Sequence, residues 1–85
     1  MNTQEIINKV SSAAKMCVYG EIGVFGWMRE ISKETGIKNK AEIAIEMHNR
    51  FQAAQATNPK LTFSLFMNQQ VEKAIIANNA RVNSK

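Results

Sequence analysis

Gly20, Gly23, Gly26, Gly36 and Pro59 punctuate this sequence more strongly than any other residues, and their positions limit what it can fold into. Between them, apolar side chains recur at three- and four-residue spacing, the period of a helix rather than of a strand. The breaks leave four segments long enough for helices. A chain of 85 residues buries only roughly 60–65% of the surface it exposes when unfolded, so there is no room for a second core. Residues 1–85 are therefore predicted to form a single all-α domain of four helices.

The first helix is expected over residues 3–19. Asn2 and Glu5 have the spacing of a capping box, and Ile6, Val10, Ala13, Ala14 and Cys17 form one apolar stripe. Gly20 is read as its C-terminal stop. The next stretch, GEIGVFG over residues 20–26, fits either a short strand or a bend. The bend is preferred because no second convincing strand exists to pair with. A short second helix then runs over residues 27–35 and ends at Gly36. Asn39 and Glu42 repeat the capping-box spacing and open a third helix, with Ile43, Met47, Phe51 and Ala54 on one face. Asn58 and Pro59 are read as the cap and first residue of a fourth helix that extends to about residue 82. Its main stripe is Phe63, Met67, Val71, Ala74, Ile75 and Val82. Leu65 and Ile76 lie off that stripe, with Leu61 beside them. A small monomer has little to pack against this second apolar side, so a homodimer is predicted to cover it. Asn78, within the main stripe, fits either a register-fixing contact between subunits or a solvated position.

Composition excludes much chemistry. All seven acidic residues are Glu, there is no Asp, and His48 and Cys17 are single. A Ser-His-Asp triad cannot be written, and a closed zinc site lacks its four Cys or His ligands. Cys17 lies on an apolar stripe, where a thiol behaves as a small hydrophobe, and His48 lies towards the boundary of the third helix with no third member for a dyad. No catalytic residue, metal or cofactor is expected, and the chain is not read as an enzyme. A lone cysteine and an N-terminus unlike a secretory signal favour the cytoplasm. No apolar run approaches the roughly 18 residues of a membrane span.

The formal net charge of +4 points instead to a polyanionic partner. The excess lies mainly in residues 51–85, where Lys60, Lys73, Arg81 and Lys85 face Glu72 alone. The turn from Lys33 through Lys38, Asn39 and Lys40 is also dense in cations, beside a predicted helix N-terminus whose free amides favour an anion. Arg29 and Arg50 are neighbouring candidates. Lys73, Arg81 and Lys85 would extend the positive surface along the last helix, while Glu34 and Glu42 oppose the patch. The aromatic residues are expected in the core rather than stacked on bases, with Phe25 and Trp27 the least determined.

Two resemblances bear on function. MREISKETGIKNKAEIAIEMHNRF, residues 28–51, resembles the two-helix part of ribbon-helix-helix antitoxins and repressors: a short helix, Gly36, a polar-basic turn and an amphipathic helix. The segment in the ribbon position, residues 18–24, departs from that family in having two glycines and no basic or amide side chain. The same stretch resembles a helix-turn-helix with Gly36 and Ile37 in the turn, although Glu42 stands where an apolar residue is expected. Either likeness implies a dimeric DNA-binding regulator. Separately, a short, Asp-free, basic, Asn/Lys-rich helical chain beginning MNTQEIINKV is similar to small RNA-binding antagonists of host toxin–antitoxin systems from T-even-type phages. That likeness implies RNA binding, dimerisation and inhibition of a host endoribonuclease toxin in the host cytoplasm. RNA is favoured over DNA, since scattered lysines can track a backbone without a groove-entering element. A protein-binding inhibitor without nucleic acid is the remaining alternative.

Overall fold

A computed structural model describes residues 2–83 of the chain, and the side chains of residues 2–80. Four helices account for almost all of it: α1 (Thr3–Met16), α2 (Gly20–Thr35), α3 (Lys40–Thr57) and α4 (Phe63–Asn83). The described residues contain no strand, and the all-α expectation holds.

Local signals set most of the helix ends. The Asn2 side chain accepts a hydrogen bond from the Glu5 N–H at 2.9 Å. Asn39 does the same for the N–H groups of Ala41 and Glu42, at 2.9 and 3.3 Å. Such caps each stabilise a helix by about 1 kcal/mol. Gly36 ends α2 at φ +77°, a left-handed conformation that glycine adopts without strain.

Three expectations are corrected. The first helix ends at Met16, and residues 17–20 form a tight turn closed by the Gly20 N–H on the Cys17 carbonyl at 3.0 Å. Gly20, at φ +74°, opens α2 rather than closing α1. Residues 20–26 are therefore helical, neither bend nor strand. Each interior glycine costs a helix about 1 kcal/mol, but burial of Val24, Trp27 and Ile31 on the same helix outweighs that. The third correction concerns α4, which starts at Phe63 and not at Pro59. Asn58 instead closes α3, and its carbonyl accepts from the Leu61 N–H at 3.0 Å. That turn buries Leu61, and Thr62 becomes the cap, its hydroxyl accepting from the Leu65 N–H at 3.2 Å.

Helix α2 packs chiefly on α4, and α1 on α3, with α1 also touching α2 and α4. Ile31, Met47, Met67, Val24 and Val71 are wholly enclosed where the four helices meet. Trp27 and Phe66 meet edge to face, their ring centroids 5.9 Å apart. The body measures 43 × 28 × 23 Å, and the long dimension leaves residues 76–80 of α4 exposed on every side.

The α2–α4 contact depends on Gly23. A Cβ at that position would lie 2.8 Å from Val71 Cγ1 and 2.9 Å from Tyr19 Cβ, whereas a Cβ at Gly26 would meet nothing within 4 Å. Gly23→Ala is expected to destabilise the fold by about 1–3 kcal/mol through overpacking. Gly26→Ala is expected to stabilise it by about 0.5–1 kcal/mol through helix propensity. Urea unfolding of the two variants should move the midpoint in opposite directions, and equal shifts would remove the close-approach role of Gly23.

Candidate nucleic-acid interface

The fold divides the predicted basic set among several environments. Arg29 and Lys33, one helical turn apart and both exposed, form the outer lip of a groove of about 330 Å³ between α2 and α4. Lys33 lies 4.0 Å from Glu30, which also lines the groove. Arg29 makes no salt bridge among the described residues. Tyr19, Ile22, Gly23 and Gly26 continue the α2 wall, and Ala74, Ile75 and Asn78 form the α4 wall.

Lys38 and Lys40 are exposed at the α2–α3 turn, as expected. Lys40 also borders a second cavity of about 220 Å³, largely apolar, that includes Ile7, Val10, Phe25 and Met28. The Asn39 side-chain oxygen Oδ1 accepts from the Ala41 and Glu42 N–H groups, so those amides are already satisfied by the chain itself. What remains for an anion at this helix end is the pair of lysines and the dipole, not a ring of free N–H groups.

Arg50 leaves the interface. Its guanidinium sits 3.0 Å from Glu34 on α2 and 3.8 Å from Glu46 on its own helix. It is a strut between α2 and α3, worth roughly 1 kcal/mol at this partial exposure. The same contact turns Glu34 towards Arg50, so one of the two acids opposing the turn lysines has its own partner. Lys73 is exposed but lies about 200° round α4 from enclosed Val71, away from the groove. The side chain of Arg81, and Lys85 altogether, lie outside the described residues.

Aromatic residues follow the core expectation except at two places. Trp27 is enclosed, while Phe25 is 50% exposed and Tyr19 is 40% exposed. Desolvation, and then the neighbouring Glu72 carboxylate, raise the Tyr19 phenol above its ordinary pKa. Tyr19 and Ile22 line the groove without belonging to the predicted basic set, and Asn78, expected within the apolar stripe of the last helix, joins them on the α4 wall. Once residues 20–26 are helical, Ile22, Gly26, Arg29 and Lys33 fall at i, i+4, i+7 and i+11 on one stripe. That spacing is the signal that a bend conceals. Asn78 is exposed on the groove wall.

Neither lone nucleophile nor lone base is presented at the surface. Cys17 is buried as a free thiol. His48 is buried rather than at the edge of the α3 apolar stripe, stacked on Phe63 at 6.1 Å and beside Phe51 at 6.2 Å. No group of three or more His, Cys, Asp or Glu among the described residues could hold a metal ion. No helix among the described residues is long and apolar enough to cross a membrane. Compared with protein-family models, curated proteins and solved structures, the chain has no match.

Burial lowers the His48 pKa below 6.5, helped by the nearby Lys9 ammonium. The unfolded chain therefore binds a proton that the folded chain resists. Stability from this group is complete above pH 6.5 and falls as the pH drops from 6.5 towards the lower folded value. His48→Phe should flatten that part of the stability profile in urea titrations. An unchanged slope in the variant would assign it to the carboxylates instead.

Proposed function

We propose that this protein binds single-stranded RNA through the side of α2 that carries Arg29 and Lys33, extended by Lys38 and Lys40 in the turn that follows. The observation that carries the reading is the exposure of these four cations along one helix edge and its outlet, on a chain of net charge +4. A phosphodiester backbone is the polyanion that such a spaced row suits. Each phosphate contact releases counterions, so binding would be salt-sensitive. RNA is preferred to duplex DNA because the described residues offer no good groove-reading element. Residues 18–24 form a corner and the first turn of α2 instead of a ribbon. The outward side of α3 carries exposed Glu42, and Glu46 bound to Arg50, which a phosphate-lined groove would repel.

A homodimer belongs to the same proposal. Leu65 and Ile76 are 54% and 61% exposed on one side of α4. Val18, 81% exposed, stands at the adjacent corner, which its N–H ties to Asn68 Oδ1 at 3.0 Å. This apolar side is the surface we assign to a second copy, and pairing would double the cationic edges available to one RNA strand. In the cell, we assign the protein the role of antagonising an endoribonuclease toxin, with the toxin engaged together with its RNA. Co-expression with such a toxin tests that role, and growth arrest unrelieved by the protein would remove it.

Fluorescence anisotropy with a labelled single-stranded RNA tests the binding. Charge reversal of Arg29 with Lys33, or of Lys38 with Lys40, should weaken binding to all sequences alike. Each pair should lower the salt slope by about one to two units, since a single strand releases about 0.7 counterion per contact. Parental affinity in both double variants at every salt concentration would refute the edge. Light scattering tests the assembly: Leu65→Glu with Ile76→Glu should convert a dimer to a monomer, and a monomeric parent at high micromolar concentration would remove the dimer.

A further inference from the structure

We propose that the groove between α2 and α4 seats one unpaired nucleobase over Gly26, with the adjoining phosphate held by Arg29 and Lys33. This inference rests on the RNA-binding reading and adds to it a contact made with the base rather than the backbone.

The starting point is the contrast between two glycines one turn apart. At Gly23 the missing side chain is replaced by Val71 and Tyr19, so packing accounts for that residue. At Gly26 nothing replaces it: a Cβ there would find no atom within 4 Å. Gly26 is not at positive φ either, so no backbone conformation requires it. A glycine in a helix interior with neither reason gives up about 0.5–1 kcal/mol against alanine. Departures from local preference without a structural return tend to mark functional positions. Here the departure leaves a strip of bare helix as the floor of a groove.

The groove has the size and chemistry for a nucleotide. Its volume of about 330 Å³ lies at the lower end of the range for small-ligand sites. Ile22 and Ile75 supply apolar contact for a ring lying on the Gly26 backbone, and Tyr19 stands at one end. Asn78, on the opposite wall, offers an amide that both donates and accepts, as the edge of a base requires. Arg29 lies three residues past Gly26, about 4.5 Å further along the axis. A phosphate on the Arg29–Lys33 lip is then a short step from a base on the floor. Glu30 sits inside the groove 4.0 Å from Lys33, which keeps the phosphate on the outer lip and leaves the interior to the uncharged base. Paired bases in a duplex cannot enter, so the site selects an unpaired strand.

Gly26→Leu tests this directly. Gly26 has open space around it, and leucine favours a helix, so the side chain fills the groove while the helix is retained. Binding of a labelled single-stranded RNA should weaken about tenfold, the range of one lost base contact. Binding of an RNA of equal length whose bases have been removed should match the parent's. Asn78→Phe, which fills the groove from the exposed α4 wall, should reproduce both results and serves if the leucine variant misfolds. If the groove-filling variants bind intact RNA like the parent while reversal of Lys38 and Lys40 weakens it, the base site is refuted and the RNA reading stands. If the parent prefers the abasic strand or binds both equally, the base site is refuted as well. A parent that binds neither strand overturns the RNA reading and this inference together.

Discussion

Where α2 crosses α4, the two helices approach so closely that a single methyl group at Gly23 would strike Val71. Most of what is distinctive in this domain depends on that crossing. It lets Val24, Trp27 and Ile31 reach the centre, where they meet Met47, Met67 and Val71. It fixes which side of α2 faces outward. It also sets the origin from which the helices part: one turn beyond Gly23, at Gly26, the neighbouring helix is already out of reach of a Cβ. The groove is the consequence of close contact at one glycine and separation at the next, and its lip carries the cations of the following two turns.

Electrostatics then separates cations that serve the fold from those left to a partner. Arg50 joins α2 to α3 through Glu34 and absorbs Glu46 as well. Lys9 lies 5.5 and 5.9 Å from the ring centroids of Phe51 and Phe63, so its charge is spent against the aromatic cluster that also surrounds His48. Arg29, Lys38 and Lys40 take no part in the ion pairs of the described residues, and Lys33 has only a long contact with Glu30. Along α2 and its exit, Arg29, Lys33, Lys38 and Lys40 are thus left to a partner, although Glu21, Glu30 and the acids on α3 lie close enough to limit their field. A positive surface interrupted by carboxylates favours a strand that can thread between them over a rigid duplex.

The sequence discloses the features that depend on near neighbours. The caps at Asn2 and Asn39, the stop at Gly36 and the buried stripes of α1 and α3 involve residues within a turn of one another, and they stand as expected. The failures involve partners far along the chain. Three glycines in seven residues argue against a helix until Val71 is known to need the space at Gly23. Asn58-Pro59 looks like a helix start, but burial of Leu61 pulls the chain through a turn and hands the cap to Thr62. His48 reads as a boundary residue on α3 alone and becomes core only when Phe63 stacks on it from the next helix. Among the candidate site residues, exposure of Lys33, Lys38 and Lys40 was legible from charge density. The Glu34 partnership of Arg50 was not, because it spans 16 positions.

One geometric relation links the proposed site to the proposed assembly. Leu65, Glu72 and Ile76 follow one side of α4, and Tyr19, next to Glu72, belongs both to that side and to the end of the groove. A second copy covering Leu65 and Ile76 would therefore approach the Tyr19 end of the groove without covering Arg29 and Lys33, which lie ten and fourteen residues beyond Tyr19. The Tyr19 end, 40% exposed in one copy, would become more enclosed on pairing, and a base contact gains strength as water is excluded from it. The cationic lip would remain open to the strand. In a domain too small to enclose all its apolar surface, the side left uncovered by folding is thus placed where association would complete the binding groove rather than block it.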